Sequence, residues 1–152
     1  MNSNLEIRLE GPPSIGTAAQ CAGRRYSDDN DDVRTMLADV CAALEETVSV
    51  RFIVRAFDEM EWPVSLSTDL CVLLEQLPQV AHATENKQAF DLDFFEQGLE
   101  RTLHFQPDGL DFIVSCTSYH SRWVPAMEAE RISMAEIRGV LGRLIHEFGR
   151  LA

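Results

Sequence analysis

Paired cysteines, phosphate-binding glycines and long apolar runs are all missing from this chain. Its four cysteines, Cys21, Cys41, Cys71 and Cys116, are widely spaced and form no CxxC pair, which removes the common zinc and redox frameworks. Cys116 with His120 would give only two of the four ligands of a structural zinc site, so no metal and no cofactor is expected. The eight glycines never fall as a GxGxxG or P-loop pattern, and HExxH and GxSxG do not occur. Nucleotide binding by those loops, zinc-peptidase chemistry and the serine-hydrolase elbow are thereby set aside. No apolar run approaches the roughly 18 to 20 residues of a membrane span. The opening MNSNLEIRLEG has no basic segment followed by an apolar one, so a cytoplasmic location without a secretory signal is expected.

Basic residues are scarce as well: thirteen against twenty-five acidic residues give a formal charge of -12. Such a chain repels nucleic acid and anionic membranes over a Debye length, so neither is expected as a partner. A basic partner is the natural complement, and solubility alone is the competing explanation.

What the sequence does contain is pattern. Across residues 89–117, Phe90, Leu92 and Phe94, then Leu103 and Phe105, then Leu110, Phe112, Val114 and Cys116 alternate with Asp91, Asp93, Thr102, His104, Asp111 and Ser115. Period two means β-strand. Gln97-Gly98 and Pro107-Asp108-Gly109 supply the turns, which predicts a three-stranded antiparallel meander with one apolar and one acidic face. Leu5, Ile7 and Leu9 predict a short opening strand, and Val48, Val50, Phe52, Val54 and Ala56 a second strong one with Arg51 and Arg55 on its other side.

Helices are signalled three times by apolar residues at i, i+3, i+4 and i+7. Val33 to Leu44 follow the acidic cluster Asp28-Asp29-Asn30-Asp31-Asp32, which caps the helix and answers its dipole. Leu70, Leu73, Leu74 and Leu77 follow Ser67 or Thr68 as cap, with Pro78 ending or kinking the helix and residues 79–88 forming a turn or second short helix. Ile137 to Phe148 follow a capping box made by Ser133 and Glu136. Residues 118–131 read as a connection. Residues 14–27 have no period: the segment is a mobile loop, holds a short helix or carries function. The expected fold is a single α+β domain over residues 1–152, an antiparallel or mixed sheet of about five strands with two to three helices on one face.

Asp91 and Asp93 share a strand face about 7 Å apart with His104 opposite, an arrangement that could hold a divalent metal or run acid–base chemistry. The competing explanation is a solvated face, partly neutralised by Arg51 and Arg55. Trp62 and Trp123 stand beside prolines in loops, either as binding anchors or as plugs at the ends of the core.

FDLDFFEQGLERTLHF, then GLDFIVSCTS, a tryptophan–proline connection and a terminal amphipathic helix resemble the small cytoplasmic immunity proteins of bacterial polymorphic and contact-dependent toxin systems, over about the C-terminal two thirds of the chain. The resemblance implies a non-enzymatic inhibitor that binds a cognate protein toxin, basic and of nuclease type, through an acidic, aromatic-containing surface. The residues that would form it are Asp58, Glu59, Glu61 and Trp62, the sheet acids Asp91, Asp93, Glu96 and Glu100, and Tyr119 and Trp123, with the end of the sheet favoured over its face. A secretion adaptor or chaperone that grips an effector through apolar surface is the alternative, and a small metal-dependent hydrolase the third.

Overall fold

The meander forms as its alternation requires. A computed structural model of the chain describes residues 3–12, 32–47, 49–120 and 122–152; the sequence-predicted loop 14–27 and most of the acidic cluster before the first helix lie outside them. In chain order the elements are β1 (Glu6–Glu10), α1 (Val33–Glu45), β2 (Arg51–Arg55), a π-helical turn (Leu66–Leu70) running into α2 (Cys71–Glu85), β3 (Phe90–Phe94), β4 (Arg101–Asp108), β5 (Asp111–Ser118), β6 (Ala129–Ser133) and α3 (Met134–Leu151). The class is α+β, with three α-helices and two antiparallel sheets among the described residues.

The strands do not make one sheet. β1 pairs only with β2, and β3-β4-β5-β6 form a separate four-stranded sheet. The added strand, β6, begins inside the stretch 118–131 expected as a connection and runs on to Ser133. Its inward positions are Glu130 and Ile132, both buried, so only one apolar residue advertised it. The β4–β5 hairpin pairs Asp108 with Asp111. Gly109 between them has φ +68, which supplies the positive φ that a type II′ turn demands at its first central position. Leu110, expected on the apolar face, falls in this turn and is exposed.

Helix α3 packs on β1, β6 and α2, while α2 lies along β3. Their apolar faces meet those of the strands in one buried cluster that runs from Ile7 to Leu151. α2 continues through Pro78 to Glu85, because Leu77, Val80 and Ala83 carry its buried stripe past the proline and tertiary packing outweighs the lost hydrogen bond. The π-helical turn that leads into it is capped by the Ser65 hydroxyl, which accepts from Thr68 N–H, and not by Ser67 or Thr68. Asp32 caps α1 by accepting from Thr35 N–H at 3.0 Å.

At α3 the capping box is complete: Ser133 Oγ accepts from Glu136 N–H and the Glu136 carboxylate accepts from Ser133 N–H. The Ser133 hydroxyl, which also donates to the Glu136 carboxylate at 2.7 Å, and then the Ser133 N–H hold that carboxyl below its ordinary value of 4.5, so this contribution is present above that value and fades as pH falls through the lowered one. Ser133→Ala should cost about 1 kcal/mol, which thermal unfolding near neutral pH would read as a drop of roughly 2–4 °C.

Candidate functional site at the loop end of the sheet

Three connections meet at one end of the four-stranded sheet: the loop after β2, the β3–β4 bend and the loop after β5. Arg101, the first residue of β4, ties them together. Its side chain is buried, its Nη1 donates to Glu59 Oε2 at 2.6 Å, and its guanidinium lies over the rings of Trp62 (4.6 Å) and Trp123 (3.7 Å). Trp123 Nε1 donates to the other Glu59 oxygen. Trp62 meets Phe94 and Trp123 edge-on, at 5.5 and 6.2 Å between ring centres. A desolvated guanidinium between two indoles gains on the order of 2 kcal/mol from the ring quadrupoles, and Glu59 supplies its counter-charge. Two buried donors of this cluster, Trp62 Nε1 and Arg101 Nε, have no partner among the described residues.

Around this platform the surface is mixed. Met60, Phe95, Tyr119 and Val124 are largely exposed apolar side chains from the three loops. Tyr119 N–H donates to Glu100 C=O at 3.1 Å, and His120 Nε2 stands 3.3 Å from Glu100 Oε2. Asp58, with φ +57, accepts from the Asn4 side chain. The bend itself is pinned from below by Asp69. This fully buried carboxylate accepts from Phe95 N–H (2.7 Å), Glu96 N–H (3.0 Å) and Ser65 N–H (3.0 Å). A second buried acid, Glu130, accepts from the N–H groups of Phe57 and Asn4 and fixes the start of the acidic loop.

The expected site residues therefore divide. Glu59, Trp62, Trp123, Glu100 and Tyr119 come together at this end, with Asp58 and Glu96 on the same loops. Trp62 is 2% exposed, so it supports the surface from beneath instead of touching a partner. Glu61 points to the other sheet, where Arg51 Nη2 (2.8 Å) and Arg55 Nη2 (3.6 Å) pair with it. Those arginines were expected to neutralise Asp91 and Asp93. They pair instead with Glu6, Glu10 and Glu61, because β2 belongs to the two-stranded sheet and never lies beside β3.

Asp91 and Asp93 sit on the polar face of β3, opposite the side that buries Phe90, Leu92 and Phe94. Asp91 Oδ1 is 2.8 Å from His104 Nδ1, whose Nε2 is 2.8 Å from Thr117 Oγ1. Asp93 Oδ1 accepts from Thr102 Oγ1 at 2.6 Å. Each acid is thus answered by its cross-strand neighbour. Among the described residues no three His, Cys, Asp or Glu side chains stand close enough to hold a metal ion. Cys41, Cys71 and Cys116 are buried thiols, and burial pushes the Cys116 thiol up to about 12, which suits packing and not nucleophilic attack.

Sequence reasoning missed Arg101 as the centre of the cluster and missed the anchoring roles of Asp69 and Glu130. The exposed Phe95 was legible in principle, since in Phe94-Phe95 the alternation can send only one ring inward. No helix among the described residues is long and apolar enough to cross a membrane. Comparisons with protein-family models, with curated proteins and with solved structures give no match.

Proposed function

We propose that this chain is a non-enzymatic immunity or inhibitor protein of the cytoplasm, which binds a basic protein toxin through the loop end of its four-stranded sheet and covers the toxin's active site or another essential surface. One observation carries the reading: exposed Met60, Phe95, Tyr119 and Val124 are grouped with Asp58, Glu96 and Glu100 over a platform of buried Trp62 and Arg101 and half-buried Trp123. Apolar and aromatic tips over such a base, with acidic side chains beside them, are the composition of a binding hot spot with electrostatic steering. The formal charge of -12 favours a basic partner.

The test is co-expression with the product of the adjacent upstream reading frame. The intact chain should protect the host and co-purify with that product, and raising the salt should weaken the complex. Tyr119→Ala should cost at least about tenfold in affinity. Protection that survives Tyr119→Ala combined with charge reversal at Asp58, Glu96 and Glu100 would remove the loop surface from the account. An adaptor that grips an effector is favoured by the apolar tips alone, and it separates from the inhibitor by binding that salt leaves unchanged.

A further inference from the structure

Among the described residues β3 is an edge strand, and its outer side is only half closed. The N–H and C=O of Asp93 both turn away from β4 to the side-chain amide of Gln76, at 3.1 and 3.3 Å. Two residues on, Phe95 N–H turns the same way to Asp69. On the other side of β4, Glu100 C=O accepts from Tyr119 N–H beside β5, so the alternation is consistent across the sheet. In an antiparallel strand, main-chain groups two residues apart face the same side. The N–H and C=O of Asp91 therefore face outward as well, and among the described residues neither has a hydrogen-bond partner. Alongside runs α2, and between helix and edge lies a groove of ≈560 Å³ lined by Val72, Gln76, Val80, Phe90, Asp91 and Phe95 among others.

We propose that this groove takes an extended, basic segment of a partner polypeptide, which adds to β3 as a further strand. Its main chain pairs with the free N–H and C=O of Asp91 and then with those of Asp93 once Gln76 swings aside. Gln76 is a placeholder, because its amide offers Asp93 one donor and one acceptor in the way a neighbouring strand would, and water can replace those bonds when it leaves. Strand addition to an open edge next to a helix draws its affinity from main-chain bonds and its selectivity from alternate side chains. Here the alternate positions differ sharply: one set meets Val72, Val80 and Phe90, the other Asp91 and Asp93. Asp91 stands beside His104 and Asp93 accepts from Thr102, but among the described residues no lysine or arginine pairs with either aspartate, so a basic residue on the incoming strand finds carboxylates that no lysine or arginine holds. A second copy of this chain would bring Asp91 and Asp93 against the same acids, the like-charge device by which edge strands resist self-pairing. The inference stands on this groove and does not rest on the loop surface proposed above.

The probe is a short acetylated peptide alternating lysine and valine, titrated by fluorescence anisotropy and by amide hydrogen exchange. Binding should protect the Asp91 amide, and a peptide alternating glutamate and valine should not bind. Asp91→Pro deletes the outward N–H without touching the ladder, a substitution edge strands tolerate, and should weaken binding by about tenfold more than Asp91→Ala, which keeps that N–H. Gln76→Ala should tighten it. Equal affinity of the Asp91→Pro and Asp91→Ala chains, no Asp91 protection in the unaltered chain at roughly millimolar peptide, equal binding of the acidic peptide, or a dimer whose β3 amides are protected without peptide would each overturn the proposal.

Discussion

Glu59→Gln should lower the unfolding temperature by roughly 6–12 °C, a loss of about 3 kcal/mol in a chain of this size. The Arg101 side chain is 9% exposed and its ion pair is with Glu59, so removing the carboxylate charge strands a cation where water cannot reach it. Removing one member of a buried pair costs more than the pair contributes, because the desolvation penalty of the survivor remains. Glutamine keeps an oxygen for Trp123 Nε1 but turns an NH2 donor toward Arg101 Nη1, so the change removes the charge and that hydrogen bond together. Replacing both partners, Glu59→Leu with Arg101→Met, should restore part of the loss, since apolar side chains pack between the two indoles without a desolvated charge. The chain has two tryptophans and both belong to this cluster, so intrinsic fluorescence reports its state without interference. Its emission should shift in Glu59→Gln before global unfolding begins.

Asp69→Ala should have an effect of similar size through a different cause. Three main-chain N–H groups lose their acceptor in part-buried bonds, and at about 1 kcal/mol for each the loss is about 3 kcal/mol. Burial pushes the Asp69 carboxyl above its ordinary value of 3.8, against the pull of those N–H donors. A carboxyl raised on folding contributes fully below its unfolded value and loses that contribution as pH rises through the folded one. The stability gap between the native chain and Asp69→Ala should therefore be wider at about pH 3 than at about pH 7. Gaps of equal size from thermal melts at the two values would show that burial does not govern this carboxyl. Because Asp69 holds Phe95 and Glu96, the substitution should also loosen the bend that presents them to a partner.

The parts of the fold written in local pattern were legible. Period two with glycine turns marked β3, β4 and β5, and the Ser133–Glu136 box with its apolar stripe marked α3. What failed to show was whatever depends on pieces far apart in the chain. β6 was hidden because Glu130 occupies an inward position where alternation calls for an apolar residue, and its bonds to Asn4 and Phe57 are the reason it can be buried there. α2 ran past Pro78 because its stripe continued into the core. The same limit applied to the site. The convergence of the tryptophan loops on the end of the sheet was anticipated. The pairing of Arg101 with Glu59, 42 residues apart, follows from sheet register and loop length, and neither can be read from charge alone. Two sheets in place of one also redirected Arg51 and Arg55 away from Asp91 and Asp93, which left that face acidic.

The proposal that a partner sits on the loop end of the four-stranded sheet is tested by hydrogen exchange of the chain, free and bound to whichever protein co-purifies with it on co-expression. Main-chain amides in the loop after β2, in the β3–β4 bend and in the loop after β5 should be protected. Protection confined to α3 or to the β1–β2 sheet, with those three loops exchanging as in the free chain, would contradict it.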